Sequence, residues 1–218
     1  MAGNLDRFVN YGFVSLGNAE EACRSDKKTF IIVGVARGGT SLLSGTLNAL
    51  GVFTGDKSVS PVYEDVRLAK YIDSKDNDGA YNVIHEYNKR YDIWAFKRPS
   101  IIHSLDLFHD SWRNPIYLFI FKDFLSIANR NVLSMGMDFL QCLNLAYNDY
   151  GNIIKFILQN KISGFCFSYD KILSNKRKFI DYLVEKLNID AERENIYNAT
   201  LFIDRDSEEY LDKTRIVE

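Results

Sequence analysis

Residues Phe30 to Leu43 read FIIVGVARGGTSLL: an apolar run, a glycine-rich turn, then the start of an apolar helix. Gly34 and Gly39 keep the spacing of G-x-x-x-x-G-K-[ST], the loop that cradles nucleotide phosphates. Glycines at 34, 38 and 39 let the backbone turn tightly and aim successive N–H groups at an anion. The helix that follows adds its positive end. Thr40 stands where the lysine of that loop belongs, and the cation, Arg37, comes earlier. In kinases that lysine and Mg²⁺ neutralise a doubly charged phosphoryl group. A sulfuryl group carries one negative charge less, so an anchored guanidinium and backbone amides suffice for it. Thr40 and Ser41 then donate hydroxyl hydrogen bonds rather than organise a metal shell. A strand–turn–helix connection without a ligand has the same glycine spacing. The coincidence of strand, glycines, cation and Thr40-Ser41 favours an anion site.

Other chemistry-bearing residues also follow apolar runs. Trp94-Ala-Phe-Lys-Arg-Pro-Ser100 carries Lys97, and Tyr117–Phe121 is followed by Lys122 and Asp123. Ser126 and Arg130, four apart, share a helix face and lean back toward the end of that run. A fourth run ends at Ser168, Tyr169 and Asp170. Pro61-Val-Tyr-Glu-Asp-Val-Arg67 offers Glu64, a carboxylate at a helix start that can take a proton from an acceptor hydroxyl. His103, six residues past Lys97, is the second candidate base, whereas His85 and His109 fall to helix or loop surfaces. Plainer readings stand beside these. Asp123 also suits a magnesium-binding acid or a solvated pair with Lys122, Tyr169 a core ring with Asp170 as a cap, and Glu64 an acid stabilised by a helix dipole.

The runs Phe30–Gly34, Ile93–Phe96, Ile116–Phe121 and Gly164–Phe167 are apolar throughout rather than alternating, as in parallel strands covered on both faces. Helical patterns over 41–50, 64–72, 80–91, 124–133, 139–158 and 177–187 fall between or after them. The expected fold is α/β, a three-layer, doubly wound parallel sheet of the P-loop type with ligands beyond the carboxyl ends of the strands. The 218 residues, 46% hydrophobic and 26% charged, suit one domain, with residues 1–28 as an N-terminal extension. A net charge of −2 leaves no global footprint for nucleic acid or an anionic membrane. Cys23, Cys142 and Cys166 have neither metal spacing nor a disulfide framework. Without an apolar leader, a reducing, cytoplasmic setting is expected. Asn198-Ala199-Thr200 then matches a glycosylation acceptor by chance.

These residues resemble the sulfotransferase family over about Thr29 to Asp206, in the style of bacterial members. The family's 5′-phosphosulfate loop reads apolar-G-x-P-[RK]-S-G-T-[ST], and this chain has VGVARGGTS, with Ala36 for proline and Gly38 for serine. The resemblance implies 3′-phosphoadenosine 5′-phosphosulfate as donor and adenosine 3′,5′-bisphosphate as product. Arg37 would meet the bridging oxygen, and Gly38, Gly39, Thr40 and Ser41 the 5′-phosphate. Lys122-Asp-Phe is similar to the family's Arg-Asp-Pro, which puts Lys122, Ser126 and Arg130 at the 3′-phosphate. Phe167-Ser-Tyr-Asp-Lys-Ile-Leu resembles a segment that sets Tyr169 beside the adenine, and Thr200-Leu-Phe-Ile-Asp204 a structural closing motif. Lys97 falls near the sulfuryl group, but Pro99 stands where relatives with K-x-H have a catalytic histidine. Glu64, in a segment similar to the family's F-x-E-D, replaces it as base.

The expected enzyme is therefore a sulfotransferase acting on a hydroxyl or amine of a small-molecule or saccharide acceptor, with no metal, nucleic acid or membrane involved. Residues 56–91, polar and tyrosine-rich, are the expected acceptor cover. A Mg²⁺-dependent P-loop kinase of a nucleoside or small metabolite, and a non-catalytic adenosine 3′,5′-bisphosphate-binding protein, are the alternatives. Mg²⁺ dependence would mark the first, and tight binding without turnover the second.

Overall fold

A computed structural model describes residues 12–204; the first eleven residues of the expected extension, and residues 205–206 at the end of the family resemblance, lie outside the described residues. The apolar runs become strands because both their faces are covered. All six residues of β2 (Lys28–Val33) are buried. With β3 (Ile93–Lys97), β4 (Pro115–Phe121) and β5 (Gly164–Ser168) it forms a parallel sheet. A fifth strand, β1 (Phe13–Leu16), pairs antiparallel with β5, Phe13 lying opposite Phe167. The order is β1-β5-β4-β2-β3. The sheet is thus mostly rather than wholly parallel, and residues 13–16 of the expected extension supply its edge. An edge strand with all four residues only half-buried carries no continuous apolar run to betray it.

The helices are α1 (Ala19–Ala22), α2 (Thr40–Ala49), α3 (Val66–Asp73), α4 (Asn77–Arg90), α5 (Leu105–Phe108), α6 (Phe124–Met135), α7 (Phe139–Gln159), α8 (Tyr169–Ser174), α9 (Lys176–Lys186) and α10 (Arg193–Asp204). Period-two alternation along β2 sends Phe30 and Ile32 to one core, shared with Leu47 of α2, Leu183 of α9 and Ile203 of α10. Ile31 and Val33 face the other core, with Tyr87 of α4, Ile127 of α6 and Ile153 of α7. Burying each such side chain contributes about 1.5–3 kcal/mol. Three layers result, as the alternation of runs and helical patterns implies. Residues 56–91 contain α3 and α4, whose Leu68, Val83, Ile84 and Tyr87 are buried in the second core. Asn198-Ala199-Thr200 lies inside α10 with Ala199 buried, not in an exposed loop.

β2 has β3 on one side and β4 on the other, so the chain crosses from β2 to β3 and then returns past β2 to β4. That is the topological switch point, where a crevice opens beyond the strands' carboxyl ends. The chain leaves β2 through Gly34 there. Among the described residues no helix is long and apolar enough to cross a membrane.

Candidate functional site

Helix starts divide into two kinds. α3, α4, α6 and α7 each begin with an aspartate, Asp65, Asp76, Asp123 and Asp138, whose side chain accepts a first-turn N–H. α2 begins at Gly39 with no side-chain cap. α1, α5, α8 and α9 also lack a side-chain cap; α2 differs in following a glycine turn at the switch point, where its first N–H groups can take an external acceptor. Gly38 N–H closes a tight turn on the Val35 carbonyl. Inside that turn Arg37 has φ 65°, the left-handed region, and Gly39 follows at φ 97°. There is no space for a side chain at 39, since a Cβ would stand 2.3 Å from Cδ2 of Tyr169.

The lysine missing from position 40 is replaced from the neighbouring strand. Lys97 ends β3, is 2% exposed, and donates to Ser41 Oγ at 3.3 Å, the Val62 carbonyl at 3.2 Å and Glu64 Oε1 at 2.5 Å. Burial pulls its ammonium below the ordinary lysine range, the Glu64 carboxylate opposes that, and Arg98 and Arg37 add to it. Arg37 is thus near enough for its charge to reach Lys97. An anion between them would stabilise both.

Glu64 precedes its helix rather than starting it: α3 begins at Val66, and Asp65 is the cap. Asp65 is buried and also accepts from Asp56 N–H and the Tyr87 hydroxyl, which ties the 56–66 segment down onto α4. Both Glu64 oxygens are engaged, Oε1 by Lys97 and Oε2 by Arg98. Arg98 in turn grips Asp73 of α3 through two nitrogens, and the Ser100 hydroxyl donates to the same carboxylate at 2.9 Å. Arg98 and Ser100, which in the sequence are only neighbours of Lys97, hold the candidate acid Glu64 and its partner Asp73 in place. Pairings 25 to 34 residues apart have no local signature.

A second group lies at the ends of β4 and β5. Lys122 sits over the Tyr169 ring, 4.5 Å from its centroid. Burial lowers its pKa, Asp170 and Asp123 oppose this, and Arg130 pushes the same way, so Arg130 lies within electrostatic reach. Asp123 caps α6 through Leu125 and Ser126 N–H, both at 3.0 Å, and Ser126 bonds to it by side chain as well. Tyr150 of α7 brackets the Lys122 backbone, accepting from its N–H at 2.8 Å and donating to its carbonyl at 2.9 Å. No sequence signal distinguishes Tyr150 from the core positions around it. Asp170 is no cap: it sits in the first turn of α8, behind Ser168.

Tyr169 joins the two groups, one ring edge against Gly39 and one face under Lys122. Arg37, Gly38 to Ser41, Lys97 and Glu64 thus gather on one side, and Lys122, Ser126, Arg130 and Tyr169 on the other. His103 turns elsewhere, exposed and 3.7 Å from Asp149 of α7. His85 is exposed on α4, and His109 stacks on Tyr117, with Nδ1 2.7 Å from its hydroxyl. That pair lines a cavity of about 360 Å³ with Glu21, Asn114 and Lys161 at the opposite, amino-terminal edge of the sheet. The start of α2 and the strand-end cations are at the other edge.

No family model matches the sequence, and no curated protein matches it either. In three dimensions the chain is similar to the crystal structure of a sulfotransferase from Mycobacterium avium, with a TM-score of 0.55 and 13% identity over 90% of this chain and 79% of that one. At that identity the likeness establishes the fold: a mostly parallel, helix-flanked sheet of the kind that this sulfotransferase has.

Proposed function

We propose that this chain moves a sulfuryl group from 3′-phosphoadenosine 5′-phosphosulfate to a hydroxyl or amine acceptor, a small molecule or a saccharide. The observation that carries the reading is the contact of Lys97 with Ser41. It supplies, from β3, the charge that the phosphate loop lacks at Thr40. The sulfotransferase fold of the neighbour described above supports it, as does the open start of α2.

In this reading Gly38, Gly39, Thr40 and Ser41 hold the 5′-phosphate, and Arg37 and Lys97 face the bridging oxygen and the sulfuryl group. The bond from sulfur to the bridging oxygen breaks as a bond from sulfur to the acceptor atom forms. The acceptor's proton goes to Glu64, and adenosine 3′,5′-bisphosphate leaves. Charge growing on the bridging oxygen is met by donors already in place. Lys97 must turn from Glu64 toward the donor, which frees Oε1 for the acceptor's proton. Lys122 and Arg130, with Ser126 at the start of α6, take the 3′-phosphate, and Tyr169 lies between loop and nucleoside. Residues 56–91 cover the acceptor side, since they bring Glu64 and Asp73 to the crevice.

Asp123, the acid that a kinase would need at the end of β4, is occupied as a helix cap. The kinase reading therefore gains nothing from the geometry.

Glu64→Gln tests the base. Turnover is expected to fall by about 10²-fold or more, while affinity for adenosine 3′,5′-bisphosphate holds. Unchanged turnover would make Glu64 a purely structural partner of Lys97 and Arg98.

The cofactor is tested by calorimetry with adenosine 3′,5′-bisphosphate, AMP and ATP, each with and without Mg²⁺. Two cations at the 3′-phosphate are worth roughly 1.5–3 kcal/mol each. The bisphosphate should therefore bind at least about 100-fold tighter than AMP. Lys122→Ala combined with Arg130→Ala should remove most of that preference and leave AMP affinity nearly unmoved. Equal binding of AMP and the bisphosphate, or tight binding of ATP only with Mg²⁺, would sink the sulfotransferase reading.

A further inference from the structure

Most of the large apolar side chains that stand exposed among the described residues lie on the neighbouring helices α6 and α7. The exposed positions of α7 include one row at Leu140, Asn144, Tyr147, Gly151, Ile154 and Leu158. Steps of four and three alternate along this row, which is the seam of a coiled coil. None of the six is charged. Leu140, Tyr147 and Leu158 are 69%, 67% and 79% exposed. The core contacts of α7 come from a different face, Cys142, Ala146, Tyr150, Ile153 and Phe156. α7 therefore carries, besides the side it uses, a second uncharged row in which four of six residues are apolar or aromatic. α6 adds exposed Leu125 and Leu133 beside it.

We propose that this seam joins two copies of the chain in an antiparallel, two-fold dimer. A two-fold interface must be complementary to itself, and this row is. Reversed about its midpoint, it sets Leu140 against Leu158, Asn144 against Ile154, and Tyr147 against Gly151. Each layer then joins one a position and one d position, the pairing of antiparallel coiled coils. The bulkiest side chain of the row meets the smallest residue, and nothing lies within 4 Å of where a Gly151 Cβ would stand. Charge agrees. The flanking row reads Gln141, Asn148, Lys155, so in this register Lys155 falls opposite Gln141 of the second copy and not opposite another lysine. Area agrees as well. A helix of 21 residues is about 31 Å long and about 10 Å wide, and the 12 residues of α6 extend the face. The two copies together cover about 1,000 Å², where specific interfaces begin. Uncharged apolar rows of this extent are uncommon on monomers.

Sedimentation equilibrium of the full chain over a wide concentration range tests this. Twice the chain's 25.1 kDa is expected. Tyr147→Lys removes the central anchor at an exposed position and should weaken self-association at least about 30-fold, with an unchanged circular dichroism spectrum. Register is read with cysteines. Asn144→Cys together with Ile154→Cys should give an oxidant-dependent covalent dimer that neither single variant nor the wild type gives. Three results would overturn the proposal. The first is a dimer untouched by Tyr147→Lys, which uses another face. The second is a wild-type monomer whose Leu158→Cys thiol resists labelling, where the chain's own residues beyond Asp204 cover the row. The third is a monomer whose Leu158→Cys thiol labels freely, where the row serves no second copy.

Discussion

Arg37→Ala is expected to lower the turnover of sulfuryl transfer by about 10²–10³-fold, the loss that follows when one preorganised donor is taken from developing charge. The backbone of Arg37 fixes where its side chain leaves the loop. The turn closed by Gly38 on Val35 fixes it at φ 65°, and its guanidinium charge reaches Lys97 across the loop. Alanine dislikes the left-handed region much as arginine does. The substitution therefore changes charge while leaving the local backbone cost in place, and the melting temperature serves as the control. Arg37→Lys should restore part of the rate, because the position asks for charge more than for a planar fork. A loss smaller than about tenfold would place Arg37 away from the bridging oxygen.

Gly39→Val carries the second large effect, the loss of nucleotide binding. Its φ of 97° is closed to β-branched residues, and a Cβ would also stand 3.2 Å from Cδ1 of Ile120 besides meeting Tyr169. The loop must open away from the ring, and the first N–H groups of α2 lose their common aim. Affinity for adenosine 3′,5′-bisphosphate should fall by more than about 100-fold, over 2.7 kcal/mol. Gly39→Ala combined with Tyr169→Ala, measured against Tyr169→Ala alone, isolates the cost of the unfavourable angle, since the ring is absent from both. A folded Gly39→Val protein that binds like wild type would remove this loop from the site.

The four parallel strands were legible because burial on both faces leaves a near-continuous apolar run. β1 and α8 were not. FVSL is short and half-buried, and Tyr169–Ser174 holds one helical turn and a half behind a strand. The phosphate loop could be read because its chemistry is local: glycine spacing, a cation and a helix start within a few residues. Lys97 could be placed only at a strand end. Its reach to Ser41 depends on β2 and β3 pairing in one register, Ile32 beside Lys97. The ties of Glu64 to Arg98, of Asp65 to Tyr87 and of Lys122 to Tyr150 bring together residues 22 to 34 apart through the packing of helices on the sheet. No pattern of types or spacing announces such contacts.

The contact of Gly39 with Tyr169, like the pairing of β1 with β5, spans most of the chain. Neither can form before residues 164–169 exist as strand and helix. Closing such long loops costs entropy before any contact rewards it, which makes non-local pairings late and slow. A growing chain can thus hold the glycine turn and most of β2 long before it can bind. Binding competence arrives only once β5 and α8 have been made. A nucleotide that requires both the loop and the Lys122 side would stabilise only chains that have finished the sheet, drawing the folding equilibrium toward completed molecules.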